Sequence, residues 1–399
     1  MYDDFGLTED QMSIQNLARK FAQEYIKPIA AEVDSKEDVV ANFPFDMLKQ
    51  AHKIGLKTLA LPEEYGGENI GALTRAIICD EMAFVDSTCC KIISQMWSNS
   101  HRILRRGTKD QFDRFLTAFR DDPTYMICNA NTEPDADKTL HGSPEGGVRL
   151  SAVRKGDGYV LNGAKHMNSL GGVASLFTLT GRIDKTVPPK EGTGMFLIPR
   201  DTPGFSITKI HDRVGWRAYQ SAEIVLQDVY VPAENLLGHG KEGGASSGRN
   251  NPYHLIEIGA NYMGLARAAY EASLEYAKIR VQGGKTIIEH QYVSEQLADM
   301  FIDLQAGRSF VWQTALAIDA GKEVTETAIA STWFAGNVAR KITQAAISVH
   351  GGMGVEKELP IERYARDALV AIVTAMMGSR KVQLMYKLGG LDPDGNPKS

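Results

Sequence analysis

Residues Tyr159 to Gly172 read YVLNGAKHMNSLGG. The stretch opens on a strand-like apolar run, Tyr159-Val160-Leu161, after the turn signal Gly156-Asp157-Gly158. Asn162-Gly163 then predicts a second tight turn of the hairpin kind. Lys165, His166, Asn168 and Ser169 lead into Gly171-Gly172 and a further apolar run, Ala174 to Leu179. Polar hydrogen-bonding residues beside glycines suit the close approach of a flat ligand to backbone. An ordinary surface hairpin fits the same residues, and a loop that carries function is the competing reading.

Outward from this stretch, residues 123–238 alternate short β-branched runs with Gly, Pro and Asp turns: VRLSAV, SLFTLTG, GMFLIPR, FSITKI and AEIVLQDVYV. That pattern predicts a compact, mainly antiparallel β domain. Residues 1–122 read as helical. Thr8 and Gln11 form a capping-box signature, and Ile14, Leu17, Phe21 and Ile26 recur at helical spacing. Pro28 should bend or break that helix. Phe45 to Leu59 predicts a second helix and Ile70 to Leu104 further helical material, with Trp97 in the core. Residues 239–399 return to long helices after a polar, glycine-rich loop. The expected fold class is α+β: helical domain, β domain, helical bundle.

Composition narrows the function classes. At 399 residues, with 43% hydrophobic and 23% charged side chains, this is an ordinary globular composition spread over two or three domains. A net charge of −5 leaves no footprint for a polyanion, so nucleic acid is not an expected partner. No apolar run is long enough to span a bilayer, and the acidic start MYDDFGLTEDQ does not read as a signal peptide. Cys79, Cys89, Cys90 and Cys128 fit no disulfide or zinc spacing, which implies a reducing, cytoplasmic setting and no metal centre. No GxGxxG or Walker loop appears.

The opening stretch resembles the LNGxKxWITNG segment of the acyl-CoA dehydrogenases. Further resemblances follow in register: LPEEYGG at Leu61, TEP at Thr132, GWR at Gly215, DVYVPAENLLG at Asp228, LADM at Leu297 and HGGMG at His350. Each is weak alone, but together they cover nearly the whole chain. The resemblance implies FAD between the β domain and the C-terminal bundle, an acyl-CoA thioester as substrate, and an electron-transfer flavoprotein or another acceptor for the electrons. It also implies a homodimer or homotetramer, because this family binds its flavin across a subunit interface. Carried over residue by residue, Thr132 and Ser169 become flavin-contacting hydroxyls, Ser169 standing where a threonine usually faces N5. Met167 replaces a ring-covering tryptophan. Arg280, in a turn resembling RxxFGK, would reach the neighbouring subunit's pyrophosphate, with Gly283 in place of the phenylalanine. His350, Gly351, Gly352 and Gly354 would cradle the dinucleotide, and Ser379 would lie beside it. The region from Cys90 to Trp97 would adjoin the acyl pocket.

The catalytic base departs from the family. The usual YEGTSEIQ is replaced by MMGSRKVQ, so Met377 stands where the glutamate should, or Ala375 on an ungapped count from Arg366. No acidic residue occurs between Asp367 and Asp392. Some members carry the base on the first long helix of the C-terminal bundle instead, and here that position is His254. With Asn251 as N-cap and Pro252 at N1, His254 falls at N3, where the helix dipole favours a neutral ring. Glu257 shares its face and would orient or balance it. Leu255 replaces an arginine that often touches the substrate, and Asp135-Ala136-Asp137-Lys138 replaces the serine-bearing loop after TEP. Three readings result. The first is dehydrogenation of an atypical acyl-CoA, cyclic or aromatic-derived, with His254 and Glu257 as catalytic residues. The others are a different flavin reaction on the same fold (lyase or hydratase, reductase, monooxygenase) and a non-catalytic flavin-binding subunit.

Overall fold

The computed structural model describes residues 6–134, 148–187, 191–238 and 251–391. Helix α1 (Glu9–Phe21) begins at the expected capping box: the Gln11 amide donates to Thr8 Oγ1 at 3.2 Å, and the Thr8 amide to Gln11 Oε1 at 3.0 Å. A π-helical turn, Ala22–Ile26, ends the helix just before Pro28, and α2 (Ala30–Ser35) follows. Helix α3 (Phe45–Lys53) stops six residues short of the expected Leu59. Gly55 adopts φ +78 there, and the Leu56 amide turns back to the Ala51 carbonyl at 2.8 Å. The apolar run continues, but as turns. The Ile70–Leu104 material is likewise two helices, α4 (Ala72–Val85) and α5 (Ser87–Arg106). Asp86, at φ −156, breaks the run and caps α5 by accepting the Cys89 amide at 2.8 Å. Trp97 is buried as expected, its Nε1 donating to the Leu56 carbonyl at 2.9 Å. Short helices α6 (Lys109–Gln111) and α7 (Thr117–Asp121) close this part.

Strands β1 (Ile127–Ala130), β2 (Ser151–Lys155), β3 (Gly158–Ser169), β4 (Leu176–Arg182), β5 (Thr193–Pro199), β6 (Phe205–Ile210), β7 (Ser221–Pro232) and β8 (Leu236–Leu237) form one sheet. Its order is β6-β7-β3-β2-β4-β5-β8. Pairing is antiparallel except where β4 meets β1 and β2. The β2–β3 hairpin turns at Gly156-Asp157, as expected. Asn162-Gly163 is not a turn. β3 runs straight through it as a bulge opposite β7, with Asn162 Nδ2 donating to Asp228 Oδ1 at 3.0 Å and the Asp228 amide returning to Asn162 Oδ1 at 2.8 Å. Two continuous twelve-residue strands outcompete the local turn preference because each residue of the ladder satisfies backbone groups on both.

Helix α8 (Pro252–Ile279) leads to a two-stranded ribbon, β9 (Val281–Gln282) and β10 (Lys285–Thr286), then α9 (Gln291–Asp319), α10 (Thr325–His350), α11 (Ile361–Leu369) and α12 (Gly378–Leu388). The helices at the two ends of the chain share one core: Ala76, Ile77 and Met82 of α4 belong to the same buried cluster as Tyr262, Leu265 and Ala266 of α8. Gly264 permits the approach, since a Cβ there would lie 2.3 Å from the Asp80 carbonyl. Buried Asp80 receives Arg267 Nε at 3.0 Å and Arg308 Nε at 2.9 Å, fastening α4 to α8 and α9. Strands β1 to β8 enclose a separate core around Leu161, Phe177, Phe196 and Val229. All four cysteines are buried and free. Among the described residues no single helix is long and apolar enough to cross a membrane.

Candidate active site

Strand β3 is tied to the TEP loop. Lys165 is fully buried and donates to Glu133 Oε1 at 2.6 Å and Thr180 Oγ1 at 3.1 Å. Glu133 also accepts the amides of Arg149 (2.7 Å) and Leu150 (3.2 Å). Burial lowers the Lys165 pKa while Glu133 pulls it back up. The next residue, His166, donates its amide to the Thr132 carbonyl at 2.7 Å, so Thr132 lies alongside the strand. The register then shifts between Lys165 and Asn168, and Met167 in this bulge has φ +54 with half its side chain exposed. Ser169 pairs with Ser221 across the strands and lies near Tyr219, whose hydroxyl donates to Gln95 Oε1 at 2.6 Å. Asn131 Oδ1 and Asn168 Oδ1 are buried acceptors with no hydrogen-bond partner among the described residues. An exposed apolar side chain, a strand-edge hydroxyl and orphaned amide oxygens fit a planar heterocycle with polar edges, as a flavin is.

The glycine loop packs near the C-terminal end of α8, which Arg280 caps. Exposed Arg280 caps the helix, its amide donating to the Tyr276 carbonyl. One turn back, the Tyr276 ring stacks on His350 at 4.3 Å, while His350 Nδ1 contacts the Ala346 carbonyl at 2.8 Å. Gly351 takes φ +59, and a Cβ at Gly351 or Gly352 would meet nothing within 4 Å, which leaves backbone open to a ligand. Gly354 has a different role: a Cβ there would sit 2.7 Å from the Ile347 carbonyl, so it packs the loop against α10. Gly283 and Gly284, both at positive φ, make the β9–β10 turn in place of the family's phenylalanine.

His254 sits at N3 of α8 as expected, with Asn251 Oδ1 accepting the Tyr253 amide at 3.2 Å. Its Nδ1 lies 2.9 Å from Ser98 Oγ and 4.0 Å from Glu257 Oε2. Ser98 Oγ donates to Glu257 Oε2, and Glu257 Oε1 pairs with Arg75 Nη1 at 3.0 Å. Because the serine proton goes to the carboxylate, Ser98 can only accept from the ring. With Glu257 ionised, this puts the proton on His254 Nδ1 and leaves Nε2 as an unprotonated acceptor. The histidine pKa is held well below its ordinary value, by burial first and then by Lys91, Arg380 and Arg102. Cations and desolvation, more than the helix dipole, keep this ring neutral. Burial raises the Glu257 carboxyl, while Arg75 and Lys91 pull it down.

The usual glutamate position is apolar and cationic here. Met377 caps α12, Ala375 is fully buried, and half-buried Ser379 is the second residue of that helix. Buried Arg380 directs Nη1 to the Thr374 carbonyl and, at 3.4 Å, to that of Ala375. Leu255 is buried against Ala328 and Ile329. The charged loop after TEP lies outside the described residues. Sequence reasoning missed Ser98, Arg75, Lys91 and Arg380. Ser98 lay within the Ile70 to Leu104 stretch read as helix, one residue beyond the Cys90 to Trp97 region set beside the acyl pocket. Arg75 is far from Glu257 along the chain, and no local pattern could couple them.

Three family models match in chain order: acyl-CoA dehydrogenase N-terminal domain over residues 8–121, middle domain over 128–229 and C-terminal domain over 255–386. A short-chain specific acyl-CoA dehydrogenase of Clostridium acetobutylicum is 32% identical over 97% of this chain and 99% of its own length. A cyclohexane-1-carbonyl-CoA dehydrogenase of Syntrophus aciditrophicus is 33% identical, covering 90% and 91%. The structure of butyryl-CoA dehydrogenase from Megasphaera elsdenii superposes with a TM-score of 0.86 at 30% identity, covering 97% of this chain and 99% of that one. From the ordered motifs, the shared architecture and these matches, the chain belongs to the acyl-CoA dehydrogenase family, the FAD-binding oxidoreductases that act on the CH–CH group of an acyl-CoA.

Proposed function

We propose that this protein dehydrogenates an atypical acyl-CoA thioester, cyclic or aromatic-derived, with His254 in place of the missing glutamate. The observation that carries the reading is the chain His254 Nδ1–Ser98 Oγ–Glu257–Arg75. Bound FAD supplies the acceptor for the hydride that leaves the substrate's β-carbon. His254 Nε2 takes the α-proton, the charge gained by the ring being met through Ser98 by the Glu257 carboxylate. Arg75, paired with Glu257 at 3.0 Å, opposes the burial that raises that carboxyl. Thr132, Met167 and Ser169 would hold the flavin on the strand side. Arg280 and the His350–Gly354 loop serve its pyrophosphate and adenosine end, Arg280 reaching a neighbouring subunit in a homodimer or homotetramer, with Ser379 beside the dinucleotide. Leu255 in place of the usual arginine, the missing glutamate and the name of the Syntrophus relative support an acyl group unlike a simple linear chain. The electrons pass to an electron-transfer flavoprotein or an equivalent acceptor, in the cytoplasm.

The test is anaerobic bleaching of the oxidised flavin band against linear, branched and cyclic saturated acyl-CoAs, with products weighed. Loss of two hydrogens from a cyclic thioester is expected. His254→Ala should slow the reductive step by about 10²- to 10⁴-fold, the usual contribution of general-base catalysis. Full-rate reduction in that variant removes His254 from the role. A thioester whose mass changes by one water, with no bleaching, replaces dehydrogenation with lyase chemistry.

A further inference from the structure

A second group of chemically capable side chains lies on the β sheet, away from His254. His166 on β3, His211 just after β6 and Glu223 on β7 place one ligand atom each within 4.8 Å of one another. Among the described residues they are the one such group of three drawn from His, Cys, Asp and Glu. The sheet brings them together through its irregularities. Lys165 pairs with Ile224 and Asn168 with Ala222, so the extra residues of the β3 bulge, His166 and Met167, both stand opposite Glu223. On the other side Lys209 pairs with Glu223, and the chain leaving β6 delivers His211 two residues later. The neighbours of Glu223 in β7, Ala222 and Ile224, are buried, so the strand's alternation turns Glu223 to the opposite face.

The distances separate two explanations. His166 Nδ1 is 3.4 Å and His211 Nε2 3.5 Å from the same oxygen, Glu223 Oε1. Hydrogen bonds from ring N–H to carboxylate would close to about 2.7–3.2 Å. Two donors on a tetrahedral zinc, each bound at about 2.0–2.2 Å, stand about 3.3–3.5 Å apart. His211 Nε2 is shielded and has no hydrogen-bond partner among the described residues. The two rings stand nearly perpendicular with centroids 5.1 Å apart. His166 and Glu223 are 34% and 33% exposed, which gives an ion a path from solvent to the group.

We propose that His166, His211 and Glu223 bind one divalent transition-metal ion of the zinc class. Neutral imidazoles and a carboxylate suit zinc and its neighbours and disfavour magnesium and calcium, which take oxygen ligands. The ion cross-links β3, β7 and the end of β6 at the bulge that presents Met167 and Ser169. The inference does not depend on the role given to His254.

The experiment uses the FAD-loaded protein, stripped of metal by a chelator and titrated with Zn²⁺ alone and with Co²⁺ alone. Saturable uptake of one ion per chain is expected, with the intense visible bands of four-coordinate cobalt. His211→Gln and Glu223→Gln should each weaken zinc by more than about 100-fold, beyond the 10- to 100-fold that loss of an outer-sphere partner costs. No uptake, uptake undiminished in the two variants, or a cobalt spectrum of the weak octahedral type each overturns the proposal. The cobalt spectrum of the unsubstituted protein decides the matter should a variant not fold.

Discussion

At the scale of single residues, Ser98 matters because it has one proton and two acceptors to satisfy. It gives the proton to Glu257 and so sets the tautomer of His254. Ser98→Ala removes the acceptor for Nδ1–H and lets the ring turn. The reductive half-reaction should slow by up to about 10²-fold, the loss expected of a misplaced catalytic group, while FAD content stays unchanged. Stopped-flow reduction beside flavin quantification checks this. The depressed His254 pKa also sets a pH signature. A ring that stays neutral in the folded protein below its ordinary 6.5 keeps its acceptor lone pair there, so the kcat plateau should extend below that pH. The stability consequence has the opposite direction. As pH falls through 6.5 the unfolded chain takes a proton that the folded chain refuses, so stability drops. His254→Gln should flatten that decline in acid melting curves.

At the scale of elements, two close approaches hold the machinery. Helices α4 and α8 touch at Gly264, where an added methyl meets the Asp80 carbonyl and the Phe84 amide, both backbone and unable to swing aside. Gly264→Ala should cost at least about 1–3 kcal/mol, the usual range for overpacking, read as a fall in the denaturant midpoint. Strand β3 is held to the TEP loop by the Lys165–Glu133 pair. Lys165→Met alone leaves a buried carboxylate uncompensated and should destabilise by about 3–5 kcal/mol. The Lys165→Met/Glu133→Gln double variant should recover part of that loss. Equal losses in the two proteins would show that the methylene packing of Lys165, rather than its charge, matters.

At the scale of the whole molecule, one acidic cluster joins distant parts of the chain. Asp367 accepts the Trp216 amide at 2.7 Å, Trp216 Nε1 donates to Ser87 Oγ at 2.8 Å, and Arg363 lies 3.9 Å from Asp86. Burial, and then the charge of Asp86, push Asp367 from 3.8 up to about 7. The folded chain therefore keeps a proton that the unfolded chain has released, and stability contributed here falls as pH rises from about 4 to about 7. Asp367→Asn retains an acceptor for Trp216 and removes the ionisation. Its melting temperature relative to the parent should climb across that window, as calorimetry at stepped pH would show.

The sequence by itself determined the α+β plan and the family. These are local patterns: apolar periodicity, caps, and short strings whose order along the chain is itself information. Local signals misled where pairing partners outweighed them. Asn162-Gly163 reads as a turn but is a bulge, because β7 offers a full ladder opposite. The Phe45 helix ends at Lys53 because Gly55 turns the chain, while the apolar spacing beyond it is met by packing. The place of position 254 at N3 of α8 was legible because its N-cap and proline mark the helix start. Its surroundings were not. Ser98 comes from α5, Arg75 from α4, Lys91 from α5 and Arg380 from α12, and only folding sets them around His254 and Glu257. The depressed pKa of His254, its contact with Ser98 and the grouping of His166 with His211 and Glu223 come from the tertiary structure. They depend on desolvation and on charges and donors from elements distant in the chain, and no window of sequence contains either.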